Sequence, residues 1–193
     1  MTTVLIARHG QSTWNAEHRW QGHADPPLSD EGRRQAAALA ELVASRGVVA
    51  VYSSDLARAR ETAEIAARAI GLRLVTDPTL REINVGEWQG LTTEEIEERF
   101  PDAWARHSAG GDGWLQGETH AAMSARIVAA VTRITNAHPG ETILCVIHGG
   151  VIRALLAHAA SLALVEYRQT RPGPRNGSLA GIVVEDGQFR SID

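Results

Sequence analysis

The sequence predicts an α/β protein, a three-layer α/β/α sandwich with a mainly parallel central sheet. Short apolar runs alternate along the chain with longer segments whose apolar residues recur at helical spacing. Continuous apolar runs are typical of strands that are covered on both faces, as in a parallel sheet. The 193 residues suffice for a substantial core, so we expect a single domain over residues 1–193.

The predicted elements alternate in type over most of the chain. Strands are expected at residues 4–7, 48–52, 72–75, 142–147, 179–184 and 189–192, the last two around an Asp186-Gly187 turn. Helices are expected after the N-cap Ser29 and at residues 58–70, 93–100, 102–107, 119–138 and 151–160. The segments through Gly22 and from Arg81 to Gly90 are predicted to be loops.

Composition and charge exclude several classes of protein. The formal net charge of −4 argues against a nucleic-acid partner, since such proteins usually carry a basic surplus. No apolar run approaches the roughly 20 residues that cross a bilayer, and no basic residue precedes the first apolar run. A single cysteine, Cys145, excludes an intrachain disulfide. We therefore expect a cytoplasmic protein that contacts neither membrane nor nucleic acid.

Polar residues follow three of the predicted strands. Arg8-His9 comes after the first strand and His148 after the late one, while Arg58 lies within a turn of the second. In an open parallel sheet, ligands bind beyond the carboxyl ends of the strands. Two histidines and two arginines are therefore expected to meet at one edge, with Glu82 within reach of it.

This set of side chains suits phosphoryl transfer. Two guanidinium groups, of Arg8 and Arg58, can hold phosphoryl oxygens through charge-assisted hydrogen bonds. A neutral imidazole can attack phosphorus and divide one difficult hydrolysis into two easier steps. Glu82 is a candidate proton donor to the departing alkoxide. The amide of Gly149, near a predicted helix N-terminus, is a further candidate phosphate donor.

Four stretches resemble the histidine phosphatase superfamily, in its phosphoglycerate-mutase-like branch. They are residues 8–15 (RHGQSTWN), 52–59 (YSSDLARA), 80–83 (LREI) and 148–150 (HGG), and they occur in the family's order. The resemblance implies a phosphoglycerate-mutase-like fold and an enzyme that needs neither metal nor cofactor. One departure is Gln11, where many relatives carry glutamate. Because that position is not a reacting group of the family, we expect activity to survive.

The resemblance also implies roles for individual residues. His9 would be the phosphorylated nucleophile, and Glu82 the proton donor that later activates water. His148, Arg8 and Arg58 would form the phosphate pocket. Further phosphate contacts are implied for two amide side chains, those of Asn15 and Gln21. Many relatives pair as homodimers, so a homodimer is a further expectation.

The predicted function is hydrolysis of small phosphomonoesters, such as phosphorylated sugars or phosphoglycerate-type metabolites. The alternative function is that of a phosphoglycerate mutase. The function ranked last is that of an inactive phosphate-binding regulatory module. Mutases of the family carry an insertion after the stretch that matches Glu82, whereas the segment between Gly90 and Thr119 is short here. A less enclosed phosphohistidine is open to water. Residues 21–23 (QGH) resemble the group that acts on glucosyl-phosphoglycerate.

Other phosphatase chemistries fit the sequence less well. Cysteine phosphatases carry an arginine six positions after the cysteine, but Val151 follows Cys145 at that distance. Cys145 is therefore expected to be buried packing. The first strand is not followed by Asp-x-Asp, as aspartate-based phosphatases require. His18, His23 and Asp25 have no recognised zinc spacing, so we expect no metal site there.

Two side-chain assignments remain open from the sequence. Glu82 could instead be a salt-bridge partner of its neighbour Arg81. Trp88, Trp104 and Trp114 lie in the segment expected to overhang the pocket, where they suit either a substrate wall or ordinary packing.

Overall fold

The computed structural model describes residues 1–192 and confirms the predicted α/β class. Six strands and eight helices lie within these residues. In chain order they are β1 (Thr2–Arg8), α1 (Thr13–Ala16), α2 (Asp30–Val43), β2 (Val48–Ser53), α3 (Ala57–Ala69), β3 (Leu74–Thr76), α4 (Thr93–Arg99), α5 (Pro101–Ser108), α6 (His120–Asn136), β4 (Thr142–Ile147), α7 (Gly149–Ala159), α8 (Leu164–Thr170), β5 (Leu179–Glu185) and β6 (Gln188–Ser191).

The six strands form one sheet in the order β3-β2-β4-β1-β5-β6. Strands β3, β2, β4 and β1 are parallel, β5 is antiparallel to β1, and β6 is antiparallel to β5. In the register of β1 with β4, Arg8 lies opposite Ile147. His9 and His148 each follow directly after that pair. The register therefore brings the two histidines side by side at the carboxyl edge.

Helices cover both faces of the sheet, which gives the three predicted layers. Val4 and Ile6 of β1 lie in a core cluster with residues of α6 and α7. Leu5 and Ala7, which alternate with them, lie in a second cluster with residues of α2 and α3. Because successive side chains of a strand point to opposite faces, a strand buried on both sides must be apolar throughout.

The loop after β1 is held directly against two helices. A Cβ on Gly10 would lie 2.3 Å from the carbonyl oxygen of Gly32 in α2, so the two backbones touch. The amide of Gly10 donates to Oγ1 of Thr62 in α3, at 3.0 Å. Only glycine fits this approach. The backbone next to His9 is therefore fixed by the core of the protein.

Two helices fall where none was expected. Helix α1 lies in the predicted loop before Gly22, and α8 follows the last predicted long helix. A capping box between Ser12 and Asn15 stabilises α1, but four residues are too few for a periodic pattern. Helix α8 has seven residues, and no side-chain hydrogen bond caps its N-terminus. Short 3₁₀ turns, Pro78–Leu80 and Gly86–Trp88, flank or interrupt the loop predicted from Arg81 to Gly90.

The helices of residues 1–192 were compared with the length and composition that a membrane span requires. No single helix there is both long enough and apolar enough to cross a bilayer. Helices α7 and α8 reach that length and composition only as a pair, which is bent by 106°.

Candidate active site

A cavity of about 440 Å³ opens where β1 and β4 end. Most of the residues proposed from the sequence line it, and these are Arg8, His9, Asn15, Gln21, Arg58, Glu82 and Gly149. His148 is fully buried beside them, with its ring centroid 5.1 Å from that of His9. The chain therefore brings together residues from positions 8 to 149 around one cavity.

His9 has a defined tautomer. Its Nδ1 lies 2.6 Å from the carbonyl oxygen of Gly10, which can only accept a hydrogen bond. Nδ1 therefore carries the proton, and Nε2 keeps its lone pair. Burial, followed by the positive charges of Arg58 and Arg8, holds the pKa of His9 well below its ordinary value. The imidazole is thus neutral and nucleophilic at physiological pH.

Polar atoms without partners gather around His9. Both ring nitrogens of His148, Nε of Arg8 and Nε of Arg58 are buried and make no hydrogen bond within residues 1–192. Burial, then the charges of Arg58, His9 and Arg8, lowers the pKa of His148 as well. An unpaired buried polar atom is costly, so such a group of atoms is typical of a site that binds a polar ligand. Two guanidinium groups make that ligand an anion.

The two terminal nitrogens of Arg58 are hydrogen-bonded, whereas its Nε has no partner within residues 1–192. Its Nη1 donates to the carbonyl of Ala24 at 2.8 Å, and its Nη2 donates to that of Gly22 at 2.9 Å. Burial lowers its pKa to about 10, so the guanidinium stays charged at neutral pH. Arg8 is anchored similarly, with Nη1 donating to the carbonyl of Pro174 at 2.7 Å. Both guanidiniums are therefore already held in position before an anion binds.

Glu82 faces the cavity and does not pair with Arg81. One carboxylate oxygen accepts from the amide of Gly150 and the other from the amide of Ile83, each at 2.9 Å. A Cβ on Gly150 would lie 2.5 Å from Oε1 of Glu82, so the second glycine of the HGG motif permits this contact. Arg81 instead forms a bidentate pair with Asp55, at 2.7 and 2.6 Å. The salt-bridge interpretation of Glu82 is therefore wrong.

Asn15 and Gln21 are held by their amide oxygens. Oδ1 of Asn15 accepts from the amide of Ser12 at 3.1 Å and from Nδ2 of Asn176 at 3.2 Å. Oε1 of Gln21 accepts from the hydroxyl of Ser12 at 2.8 Å. Both residues line the cavity, and their NH₂ groups remain as hydrogen-bond donors.

The tryptophans and the cysteine are packing residues. Trp88 and Trp114 are buried in an aromatic cluster, with their ring centroids 5.5 Å apart. Trp104 packs against Trp88, and it is Trp20, not singled out from the sequence, that lines the cavity. Cys145 is fully buried within β4, and burial raises its pKa to about 12, as expected for a packing residue.

The candidate metal ligands are used in other contacts. His23 Nε2 lies 2.9 Å from the carbonyl of Glu82, and Asp25 accepts from the amide of Ala57 at 2.6 Å. Among residues 1–192, no group of three histidine, cysteine, aspartate or glutamate side chains is placed to hold a metal ion.

Sequence reasoning missed a second polar group in the cavity, formed by His107, His120, Arg153 and Arg168. Arg153 lies one turn after the HGG motif, at i+4 from Gly149, and that spacing was a usable signal. Arg168 lies on α8, whose existence the sequence did not reveal. Side chains from so many separate segments meet only through tertiary packing.

The buried histidines predict a fall in stability under mild acid. Burial, then the nearby Arg168, lowers the pKa of His107 to about 4. As the pH falls, the unfolded chain therefore binds a proton on this residue at a higher pH than the folded chain does. The free energy of unfolding should fall by up to about 1.4 kcal/mol per pH unit for this residue between pH values of roughly 6.5 and 4. In His107→Gln, whose amide oxygen can still accept from Arg168, that contribution disappears.

Urea unfolding at several pH values measures this slope. His158→Gln, which changes an exposed histidine, serves as the control and should keep the wild-type slope. Equal pH slopes for wild type and His107→Gln would contradict the assignment.

Fold and site together define an α/β protein that carries a histidine pair and two arginines at the carboxyl edge of its sheet. The family model described as histidine phosphatase superfamily, branch 1, matches residues 4–192. The chain belongs to the histidine phosphatase superfamily, as the resemblance implied.

Relatives in sequence and solved structures match most or all of the chain. The chain is 41% identical over 182 residues to phosphoglycerate mutase-like protein 4 of Arabidopsis thaliana, covering 89% of this chain and 72% of that one. YhfR of Bacillus stearothermophilus superposes with a TM-score of 0.93 at 34% identity, covering 100% and 96% of the two chains. A mycobacterial glucosyl-3-phosphoglycerate phosphatase, solved with VO3, gives 0.88 at 30% identity, covering 99% and 97%. The fold is phosphoglycerate-mutase-like, as expected.

Proposed function

We propose that this chain hydrolyses small phosphomonoesters through a phosphohistidine on His9, without a metal. One observation carries the proposal: the Nδ1 proton of a neutral His9 is bonded to the carbonyl of Gly10, which leaves the Nε2 lone pair for attack, and buried unpaired nitrogens of His148, Arg8 and Arg58 belong to the same site. A nucleophile beside a preorganised set of cationic donors is what phosphoryl transfer requires.

In the first step, Nε2 of His9 attacks phosphorus in line with the ester oxygen. The N–P bond forms and the P–O bond to the alcohol breaks, while Glu82 donates a proton to the departing oxygen. The guanidinium groups of Arg8 and Arg58 hold the non-bridging oxygens, and His148 donates one further hydrogen bond to them. The hydrogen bond from Nδ1 to the carbonyl of Gly10 stabilises the positive charge that develops on the His9 ring.

In the second step, water replaces the alcohol. The carboxylate of Glu82 takes a proton from the water, whose oxygen attacks phosphorus while the N–P bond breaks. Inorganic phosphate leaves, His9 returns to its neutral tautomer, and Glu82 is again protonated for the next turnover. The amides of Gly150 and Ile83 hold the carboxyl group of Glu82 in place during both steps.

Hydrolysis is favoured over mutase activity by the size of the chain. The chain covers 97% of the length of the mycobacterial phosphatase, so the two chains are of similar size, which supports the proposal. Mutase activity is the second candidate, because the Arabidopsis relative carries a mutase-like name. For substrate, we propose a phosphorylated sugar or a phosphoglycerate derivative, as in that phosphatase. The homodimer and the cytoplasmic location stay predictions.

The test supplies 3-phosphoglycerate, with and without a bisphosphoglycerate primer, in the presence of EDTA. We expect release of inorganic phosphate at a rate at least about tenfold above formation of the 2-phospho isomer, since water reaches the phosphohistidine. Phosphate is measured colorimetrically and the isomer by ³¹P NMR. Faster isomer formation would establish the mutase, and no turnover of any phosphomonoester in a metabolite panel would establish the inactive module.

A further inference from the structure

A second pair of guanidinium groups lines the same cavity as His9. Arg153 lies on α7 and Arg168 on α8, and neither forms a salt bridge with a carboxylate within residues 1–192. The positive charge of Arg153 contributes to lowering the pKa of Arg8 and, after burial, that of Arg168. Arg153 therefore lies within electrostatic reach of both, and the cavity wall carries positive charge beyond the proposed phosphoryl position.

Arg168 is held in place by two imidazoles. Its Nη1 lies 2.9 Å from Nε2 of His120, and its Nη2 lies 2.9 Å from Nε2 of His107. Because a guanidinium only donates, both Nε2 atoms accept and both rings are neutral. Asp112 accepts from Nδ1 of His120 at 2.6 Å, which fixes that tautomer. These contacts orient the guanidinium without neutralising its charge.

Arg153 is unpaired and lies close to the backbone of the loop before β5. Its Nε is buried and has no hydrogen-bond partner within residues 1–192. A Cβ on Gly173 would lie 2.4 Å from its Nη2, so the absence of a side chain there makes room for the guanidinium. Arg153 and Arg168 are both half-buried, and the only partners of Arg168 named above are neutral rings, so neither charge is balanced by a carboxylate. An uncompensated charge in a partly buried site is costly for stability, so two such cations lining one cavity indicate an anion-binding site.

We infer that Arg153 and Arg168 form a second anion-binding subsite, which recognises a carboxylate or a second phosphate on the organic part of the substrate. The inference rests on the proposed function for the position of the first phosphoryl group. Apolar side chains of Met123 and Leu164 line the cavity as well and suit the carbon skeleton between the two anions. The preferred substrates are therefore short phosphomonoesters with a second negative group.

Equilibrium binding tests the subsite without turnover. Calorimetry on His9→Ala compares 3-phosphoglycerate with glycerol 3-phosphate, which carries a hydroxymethyl group in place of the carboxylate. We expect 3-phosphoglycerate to bind at least about tenfold more tightly, a difference of about 1.4 kcal/mol. Adding Arg168→Gln or Arg153→Gln should remove that preference. Arg171→Gln, an exposed arginine at the end of α8, removes the same charge and should keep it.

A second comparison, fructose 1,6-bisphosphate against fructose 6-phosphate, distinguishes the two anions. A preference for the bisphosphate identifies a phosphate subsite, and a preference confined to 3-phosphoglycerate identifies a carboxylate subsite. Equal affinities within both pairs, undetectable binding, or a preference that survives both arginine substitutions would overturn the inference. Because phosphate release by the wild-type chain is measured separately, failure of the subsite and failure of the proposed hydrolysis are distinguishable.

Discussion

Replacement of His9 by alanine is expected to abolish phosphate release, with kcat falling by at least about 10⁴-fold. The proposed reaction has no other nucleophile, since Cys145 is fully buried and its thiol pKa is raised to about 12. His148, the other imidazole beside His9, donates to the phosphoryl oxygens in the proposed reaction and does not attack phosphorus. The measurement is kcat on the phosphomonoester that wild type hydrolyses best.

A trapping experiment identifies the reacting atom independently of the rate. A wild-type chain quenched in alkali during turnover should carry a phosphoryl group on His9, detectable by peptide mass spectrometry. His158→Ala, which changes an exposed histidine on α7, should keep the wild-type rate and the trapped intermediate. Turnover of His9→Ala within tenfold of wild type, or a phosphoryl group on another residue, would refute the proposed nucleophile.

Replacement of Arg58 by lysine is expected to lower kcat/KM by a factor on the order of 10² to 10³. The guanidinium binds the carbonyls of Gly22 and Ala24 with its two terminal nitrogens and keeps Nε unpaired. A lysine ammonium is a single point that cannot make both contacts and still reach the phosphoryl group. Losing an anchored donor weakens the transition state more than the ground state.

The same helix provides a matched control for this substitution. Arg60 is exposed and pairs with Glu64 at 3.7 Å, so Arg60→Lys should leave both kcat and KM unchanged. Thermal unfolding of Arg58→Lys separates lost catalysis from lost structure, since the segment from Gly22 to Ala24 also depends on this side chain. Equal losses in the two lysine variants, or an unchanged kcat/KM for Arg58→Lys, would show that Arg58 has no role in the reaction.

Much of the fold was predictable because its signals are local. The apolar runs that became β1 and β4 are buried at almost every position, and such runs are typical of strands covered on both faces. Helix α2 was predicted with its Ser29 cap, which accepts from the amide of Gly32 as expected. Helix α1 was missed because four residues carry too little periodicity, and α8 because no side-chain cap marks its N-terminus.

The sequence predicted most of the residues that gather around the cavity, but not which atoms they contact. His9 and His148 follow strands whose carboxyl ends share an edge, and this topological rule needs only the strand positions. The partner of Glu82 is the amide of Gly150, 68 positions along the chain, and no spacing pattern identifies it. Arg168 was missed entirely, because its place in the cavity depends on how α8 packs against α7.

The amino-acid sequence alone determined which chemical groups this protein possesses, which strands they follow and to which superfamily they belong. The tertiary structure alone decided that His9 is a neutral Nδ1 tautomer, that Glu82 is free of Arg81 and that Arg153 and Arg168 line the same cavity as Arg8 and Arg58. The physical reason is that protonation, pairing and desolvation depend on distances through space. Packing of residues far apart in the chain sets those distances.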